Sequence, residues 1–195
     1  MKPYWIFAIG VAAGMIGVAA GITAMGTPKL AMHLHGAYPS HPSLSQEGAM
    51  EHTVEKFDFT ANGSMERVAP LFGAERERVW APGWNPEFIS PTKPADVQGM
   101  VFKIQHGDRH AIWVNTEFDL KAGRMQYAYV IPDKLVTLIT IRLTPLEKLT
   151  QVAVEYERTA LSAGANEHVR HLAENDRKSG PEWEKQINGY LASGK

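Results

Sequence analysis

Five consecutive segments between residues 99 and 161 have the composition of β-strands and are joined by short connections. Two of the connections are the turn sequences "KAG" (121–123) and "PDK" (132–134). Antiparallel strands can be joined by such tight turns, whereas parallel strands need crossovers of a dozen or more residues. We therefore expect an antiparallel meander with strands at 99–105, 110–120, 124–131, 135–146 and 149–161.

The flanking segments predict one more strand and several helices. Residues 51–61 alternate like a strand, 65–73 read as a short helix, and a loop rich in tryptophan and proline runs to about Gln98. The C-terminal part has a helical period that is interrupted near Ser179 and Gly180. The order predicts an α+β fold, in which a curved antiparallel sheet of about six strands wraps on a long C-terminal helix. One helix cannot fill a strongly curved sheet, so we expect a ligand cavity between them.

This order of elements resembles the SRPBCC or START-like helix-grip superfamily, which includes lipid-transfer domains, birch-pollen-type allergens and polyketide cyclases. The resemblance also rests on "ERVAPLFGAERERVWAPGWNPEF" (66–88) and "EWEKQINGYL" (182–191). It implies a pocket between sheet and C-terminal helix for an apolar small molecule or lipid. Some members are enzymes and many only bind or transfer a ligand, so the resemblance leaves the function open.

The first 50 residues lie outside the resemblance. No charged residue occurs between Tyr4 and Gly26, and 23 helical residues would span about 35 Å, enough to cross a bilayer. We predict a signal-anchor at 1–28, with a cleaved signal peptide as the alternative, a linker at 29–50 and the folded domain at 51–195. The domain is then expected in the periplasm or another extracytoplasmic space. Small-residue spacing in the membrane helix is also compatible with a homodimer, through Gly10, Gly14, Gly17 and Gly21.

Composition and motifs exclude several functional classes. The 20 Lys and Arg residues balance 21 Asp and Glu, so no nucleic-acid partner is expected. The chain has no cysteine and no nucleophile or nucleotide-binding motif, and we predict neither a cofactor nor specific catalytic residues. His33, His35 and His41 lie in the linker without a fixed geometry, so no metal site is predicted.

Strand alternation and the helical stripe nominate the residues that would contact a ligand. Tyrosines are favoured because a buried hydroxyl needs a hydrogen-bond partner, which a ligand carbonyl could supply. The alternative is that all of these residues form the core. On 110–120, Ile112, Val114, Thr116 and Phe118 form the more apolar face. The ligand-binding candidates are Trp80, Trp84, Met125, Tyr127, Tyr129, Val154, Tyr156, Arg158, Trp183 and Ile187.

Two groups of these candidates, the tryptophans of the loop and the charged residues, have more than one possible role. Pro82 and Gly83 predict a type II turn that holds Trp80 and Trp84 close together, either as a movable lid or as a fixed plug on the core. Arg158 is a candidate head-group contact, followed by Glu87 and Arg142. Each of these three charged residues is also compatible with an ordinary surface or salt-bridged position.

Three functional hypotheses follow. The first is a membrane-tethered or exported domain that binds an apolar small molecule or lipid without chemistry. The second is a cyclase-like or hydrolase-like enzyme that uses the same cavity and therefore needs an ionisable group inside it. The third is an interaction domain of the cell envelope that has a filled core and an exposed apolar patch.

Overall fold

Seven antiparallel strands form one sheet in the order β1-β7-β6-β5-β4-β3-β2. The structure is a computed structural model that describes residues 48–107 and 109–194. The predicted membrane segment at residues 4–26 lies outside this part, within which no helix has the length and apolar character needed to cross a bilayer. The strands are β1 (His52–Ala61), β2 (Glu87–Ser90), β3 (Val101–His106), β4 (Arg109–Asp119), β5 (Arg124–Ile131), β6 (Leu135–Leu146) and β7 (Leu149–Ala160).

The first strand and the five-stranded meander agree with the sequence prediction, and β2 is the additional strand. Residues 74–98 were expected to contain no strand, but Glu87–Ser90 pairs antiparallel with β3 at the sheet edge. This strand has four residues and lies between Pro86 and Pro91. Proline cannot donate to a strand ladder and is therefore found mainly at edges, so a short edge strand leaves little sequence pattern.

A β-bulge divides β4, so neither of the two alternating faces read from the sequence continues unbroken along the strand. Trp113 and Asn115 point to the covered side of the sheet, whereas Ile112 is 38 % exposed on the other side. The register shifts between Asn115 and Glu117, which makes Thr116 the extra residue. Because a bulge changes the face on which the following residues lie, Phe118 then returns to the covered side.

Helices cover one face of the sheet. α1 (Met65–Val68) continues into a 3-10 turn, Ala69–Phe72, and a second 3-10 turn spans Arg76–Val79. The C-terminal helix is divided, as the sequence predicted, into α2 (Asn166–Asp176) and α3 (Gly180–Ala192), with a 3-10 turn at Ala163–Ala165 before α2.

The two parts of the sheet are covered by different segments. α2 packs on β1 and β7, while α3 packs on β1. Gly180 begins α3 so close to Phe57 of β1 that an added Cβ would lie 3.3 Å from the Phe57 ring. The β3–β5 part receives side chains of the tryptophan loop, because Trp84 contacts Phe102 and Trp113. The C-terminal helices and the tryptophan loop therefore form two covers of the sheet, and the residues at which they meet lie at the centre of the domain.

Candidate functional site

Aromatic rings occupy the space between the sheet and the C-terminal helix, where the sequence predicted a ligand. Trp80 and Trp183 are only 4 % and 6 % exposed, and their ring centroids lie 5.3 Å apart. Phe72 contacts both rings, with centroid distances of 6.2 Å and 6.4 Å. These two tryptophans therefore belong to the core of this conformation.

Trp84 is anchored in a way that favours a fixed plug over a movable lid. Gly83 has φ of +82°, and the Trp84 amide donates to the Ala81 carbonyl at 3.2 Å, which agrees with the predicted type II turn. The Trp84 indole N–H donates to the Ala74 carbonyl at 2.6 Å. Its ring packs edge-on against Trp113 at 5.3 Å.

Arg158 lies at the centre of a buried polar cluster beneath the end of α2. Its guanidinium donates twice to Asp176, at 2.7 Å and 2.9 Å, and once to the Thr137 hydroxyl at 2.9 Å. It also donates to the Tyr129 hydroxyl. The guanidinium lies 4.7 Å from the centroid of the Tyr156 ring. Arg158 is therefore a salt-bridged residue, one of the alternatives that the sequence left open.

Strand register explains why these groups meet. Tyr129 lies opposite Thr137, and Thr137 lies opposite Arg158, so one row across β5, β6 and β7 carries all three. Desolvation alone would lower the pKa of Arg158, but Tyr129 and Asp176 raise it above its ordinary value. Arg158 is thus charged at neutral pH, and its donors are directed to neighbours in the protein.

The remaining candidates divide between core and surface. Met125 and Ile187 are fully buried and Val154 is 2 % exposed, so all three pack in the core. Glu87 and Arg142 lie on the surface. The Glu87 carboxylate pairs with Lys103 at 2.9 Å, and Arg142 pairs with Glu117 at 3.2 Å.

A groove of about 450 Å³ opens at the end of the sheet where β4 turns into β5. We call it the Asp96 groove. Three carboxylates line the groove, and two of them have a cation partner. Arg124 pairs with Glu117 at 2.7 Å and with Asp119 at 3.4 Å. The groove is lined by Asp96, Gln98, Glu117, Phe118, Asp119, Leu120, Lys121 and Arg124.

Asp96 connects this groove to the interior. Its carboxylate lies against Gly73, where an added Cβ would be 2.3 Å from an Asp96 oxygen, so a larger residue at 73 would displace the carboxylate. Partial desolvation raises the pKa of Asp96, and the charge of Arg76 opposes that shift. Among the residues that the structure describes, Asp96 makes no hydrogen bond and no ion pair.

Glu77 was not among the residues nominated from the sequence; its amide donates at 2.9 Å to the carbonyl of Gly73, the residue against which the Asp96 carboxylate lies. It is 8 % exposed, and its carboxylate has no cation within 4.0 Å in the described ranges. Burial raises its pKa well above 4.5, and the charge of Asp96 raises it further. Glu77 is thereby shifted toward the protonated state, in which it can donate a hydrogen bond.

A three-residue period could have identified Glu77. Ala74, Glu77 and Trp80 follow one another at intervals of three, and all three are buried. Side chains three apart lie on the same side of a 3-10 helix, so a segment read with that period places the carboxyl beside Trp80.

Tyr127 and Asn115 are buried on the sheet and are not among the residues that line the groove. They lie opposite each other on β5 and β4, on the covered side of the sheet. Burial raises the pKa of Tyr127 well above 10, with further contributions from Glu77 and Asp96, so the phenol stays neutral. Its hydroxyl donates to the Phe72 carbonyl. Asn115 donates to the Val97 carbonyl at 3.2 Å, but its own side-chain oxygen is buried without a donor in the described structure.

Comparisons with known proteins support the fold and leave the site unassigned. No family model matches the sequence, and a search of curated proteins finds no similar sequence. Norcoclaurine synthase from Thalictrum flavum has a similar structure, with 12 % identity, coverage of 83 % of this chain and 99 % of the synthase, and a TM-score of 0.55.

Two further solved structures resemble the chain to the same degree. A hypothetical protein of Helicobacter pylori is 14 % identical over 82 % of this chain and 99 % of its own, with a TM-score of 0.54. Ara h 8.0201 is 13 % identical over 73 % of this chain and 99 % of its own, with a TM-score of 0.52. The helix-grip architecture predicted from the sequence is therefore confirmed as a fold. Within the described residues, no three histidine, aspartate or glutamate side chains are grouped to hold a metal ion.

Replacing Trp84 tests whether the loop is a plug. We expect Trp84→Ala to lower the free energy of unfolding by about 3 kcal/mol in urea titrations, because it empties a ring site on the core. Val79→Ala is the control, since Val79 is 44 % exposed in the same segment and should change stability by less than about 0.5 kcal/mol. A nearly unchanged stability of Trp84→Ala would instead support a lid.

The Arg158–Asp176 pair provides a second test. Asp176→Leu should destabilise the protein by about 3–5 kcal/mol, because it leaves the Arg158 charge buried and unpaired. The double variant Arg158→Met with Asp176→Leu should recover much of this loss. Urea titrations of the single and double variants measure the coupling. If the losses of the two single variants simply add, the buried ion pair contributes nothing as a pair.

Glu77 should make stability depend on pH. Its folded pKa is raised, so it favours folding fully below about pH 4.5 and this contribution is lost as pH rises through the folded pKa. Glu77→Gln should therefore gain stability relative to the wild type as the pH of the urea titration is raised. Parallel curves for Glu77→Gln and the wild type would contradict the burial of an unpaired carboxyl.

Proposed function

We propose that this helix-grip domain binds a small amphipathic molecule in the Asp96 groove. The observation that carries the proposal is an open groove of about 450 Å³ lined by apolar side chains and by Asp96, a carboxylate without a partner in the described structure. Binding sites in proteins are typically concave and combine apolar walls with a few polar groups that orient the ligand. The interior between sheet and α3 is less suitable because Trp80 and Trp183 fill it.

The groove offers both kinds of contact. Phe118 and Leu120 contribute apolar surface. The Phe118 ring packs edge-on against Tyr127 with centroids 6.2 Å apart, so the apolar wall continues toward the inner residues. Asp96 lies at the same wall with its carboxylate uncommitted. A ligand with an apolar body and a polar end would satisfy both surfaces.

A proton-transfer enzyme that uses the same groove is the second candidate, and Glu77 favours it. An enzyme of this kind needs an acid that keeps its proton near neutral pH, and burial raises the pKa of Glu77 in that direction. Norcoclaurine synthase, one of the similar structures, is a synthase by name. Turnover of a bound compound that is lost in Glu77→Gln, while binding persists, would favour the enzyme over the binding domain.

A blocking substitution tests the binding site. Small amphipathic compounds would be screened against the full chain by NMR, with native mass spectrometry for any molecule that co-purifies. We expect the bound compounds to shift the amide signals of residues 96–98 and 117–121, and Leu120→Trp to abolish these shifts. Leu161→Trp adds the same ring at a site that is 45 % exposed at the opposite end of the sheet, and it should leave binding intact.

The result would contradict the proposal if compounds bound elsewhere on the domain. The proposal would also be contradicted if Leu120→Trp left the affinity of the compounds unchanged while both tryptophan variants remained folded.

We further propose that residues 4–26 tether the domain to a membrane, on its periplasmic or other extracytoplasmic side. The support is the uncharged sequence of this segment, preceded by Lys2. The full chain should sediment with membranes after an alkaline wash, and a chain without residues 1–28 should stay in the supernatant. Recovery of a shortened, soluble form of the full chain would favour the cleaved signal peptide.

A further inference from the structure

We infer that the outer face of the sheet is a docking surface for residues 30–34 of the same chain. This inference goes beyond the proposed function, because the Asp96 groove includes none of the residues of that face on which the inference depends. It rests on an apolar patch that lies outside the buried core, on the place where the described chain begins, and on the sequence that precedes this place.

The patch lies on the side of the sheet opposite to the helices and consists of two rows of paired, apolar residues that cross the central strands. None of these side chains belongs to the buried core. The rows end at polar residues, which are Glu157, Thr159 and Lys103. We call the two rows the outer patch: Val101, Val114, Ala128 and Leu138 form the first, and Ile112, Val130 and Val136 form the second. A contiguous apolar surface of this kind is typical of an interaction site.

The size of the outer patch decides between a short segment and a second folded molecule. Neighbouring strands lie about 4.8 Å apart and alternate residues of one strand about 7 Å apart, so two rows over four strands cover on the order of 250 Å². A stable contact between two folded proteins buries about 800 Å² on each partner. The patch supplies less than half of that area, and it matches a few side chains of an extended segment.

The described chain begins at the margin of this patch. The Glu51 amide donates to the Asn166 side-chain oxygen at 2.8 Å, and the Asn166 side-chain nitrogen donates to the Ala49 carbonyl at 3.1 Å. These contacts hold the residues before β1 at one end of the sheet. His52, the first residue of β1, pairs with Thr159 at the end of the second row. The preceding chain therefore enters the domain beside the outer patch.

The preceding sequence contains a segment with a matching pattern. Residues 30–35 read Leu-Ala-Met-His-Leu-His, so in an extended conformation Leu30, Met32 and Leu34 share one side. Residues 30–46 contain no Asp, Glu, Lys or Arg, so no formal charge would be placed on the patch. Both the signal-anchor and the cleaved signal peptide were predicted within residues 1–28, and the segment is therefore present in either case.

The intervening chain is long enough for this contact. Gly48 is 14 positions after Leu34, and an extended chain of that length spans up to about 46 Å. The farthest strand of the patch, β3, lies five strand spacings from β1, or about 24 Å away. A segment joined to its site by a short linker has an effective concentration of roughly millimolar, so a small patch suffices for docking within one chain.

Engineered thiols test the contact in the full chain as it is recovered from cells, because the natural sequence has no cysteine. Met32→Cys combined with Ala128→Cys should form an intramolecular disulfide under mild oxidation. The control combines Met32→Cys with Ala153→Cys, which lies on the same face beside Arg142 and outside the patch. We expect the first pair to react at least tenfold faster, as measured on non-reducing gels and by peptide mass spectrometry.

The rate of thiol labelling gives a second measurement that needs no cross-link. A maleimide should react with Ala128→Cys at least fivefold faster in the triple variant Leu30→Ser, Met32→Ser, Leu34→Ser than in the chain with the natural segment. The reason is that serine side chains remove the apolar contacts that would cover the patch.

A matched triple variant controls for the change in the segment itself. Ala31→Ser, His33→Ser, His35→Ser alters the other side of the alternation, and it should change the labelling of Ala128→Cys less than twofold. Ala153→Cys should be labelled at the same rate in all of these chains. Thermal unfolding confirms that each variant is folded before its rate is compared.

Three outcomes would overturn the inference. Equal disulfide rates for the two pairs would show that the segment does not lie on the patch. A disulfide between two chains, detected by mixing chains with different tags, would assign the patch to a second copy. Labelling of Ala128→Cys that does not change in the triple variant at residues 30, 32 and 34 would leave the patch to solvent or to a separate protein.

Discussion

The contact between Trp80 and Trp183 joins the two covers of the sheet. Trp80 comes from the loop after the second 3-10 turn and Trp183 from α3, and their rings meet over the covered face. Burying large aromatic surface is the main favourable term available to such a layer, and close packing leaves little room beside it. The divided C-terminal helix can therefore cover this sheet only because the loop fills the remainder. This constraint moves the candidate ligand site from the centre of the domain to its end.

Most of the fold is predictable from the sequence because the burial of one face of each strand or helix produces a regular spacing of apolar residues, and tight turns have a recognisable composition. The turns at 121–123 and 132–134 and the stripe of Trp183, Ile187 and Leu191 are of this kind. The bulge at Thr116 is not, since it depends on which residues of β4 fit opposite β5. The edge strand β2 has too few residues to display a pattern.

Residue type alone does not decide which of the candidate site residues face a ligand. Residue type suggested that tyrosines and Arg158 would face a ligand, but strand register brings Arg158, Tyr129 and Thr137 together, so they satisfy one another. Glu77 has the opposite character, because its sequence neighbours are charged and folding buries it. A carboxyl group that becomes buried without a cation partner can be predicted only when the 3-10 period and the tertiary contacts are both known.

The central claim is that Glu77 is a buried acid without a cation partner among the described residues, connected through Gly73 to the Asp96 carboxylate of the groove. The most direct measurement is the pH titration of its carboxyl carbon by NMR in the wild-type chain, assigned with Glu77→Gln. The account predicts a midpoint clearly above the ordinary 4.5. A midpoint at or below 4.5 would mean that the carboxylate is solvated or paired with a cation, and it would contradict the burial of Glu77 as an unpaired acid.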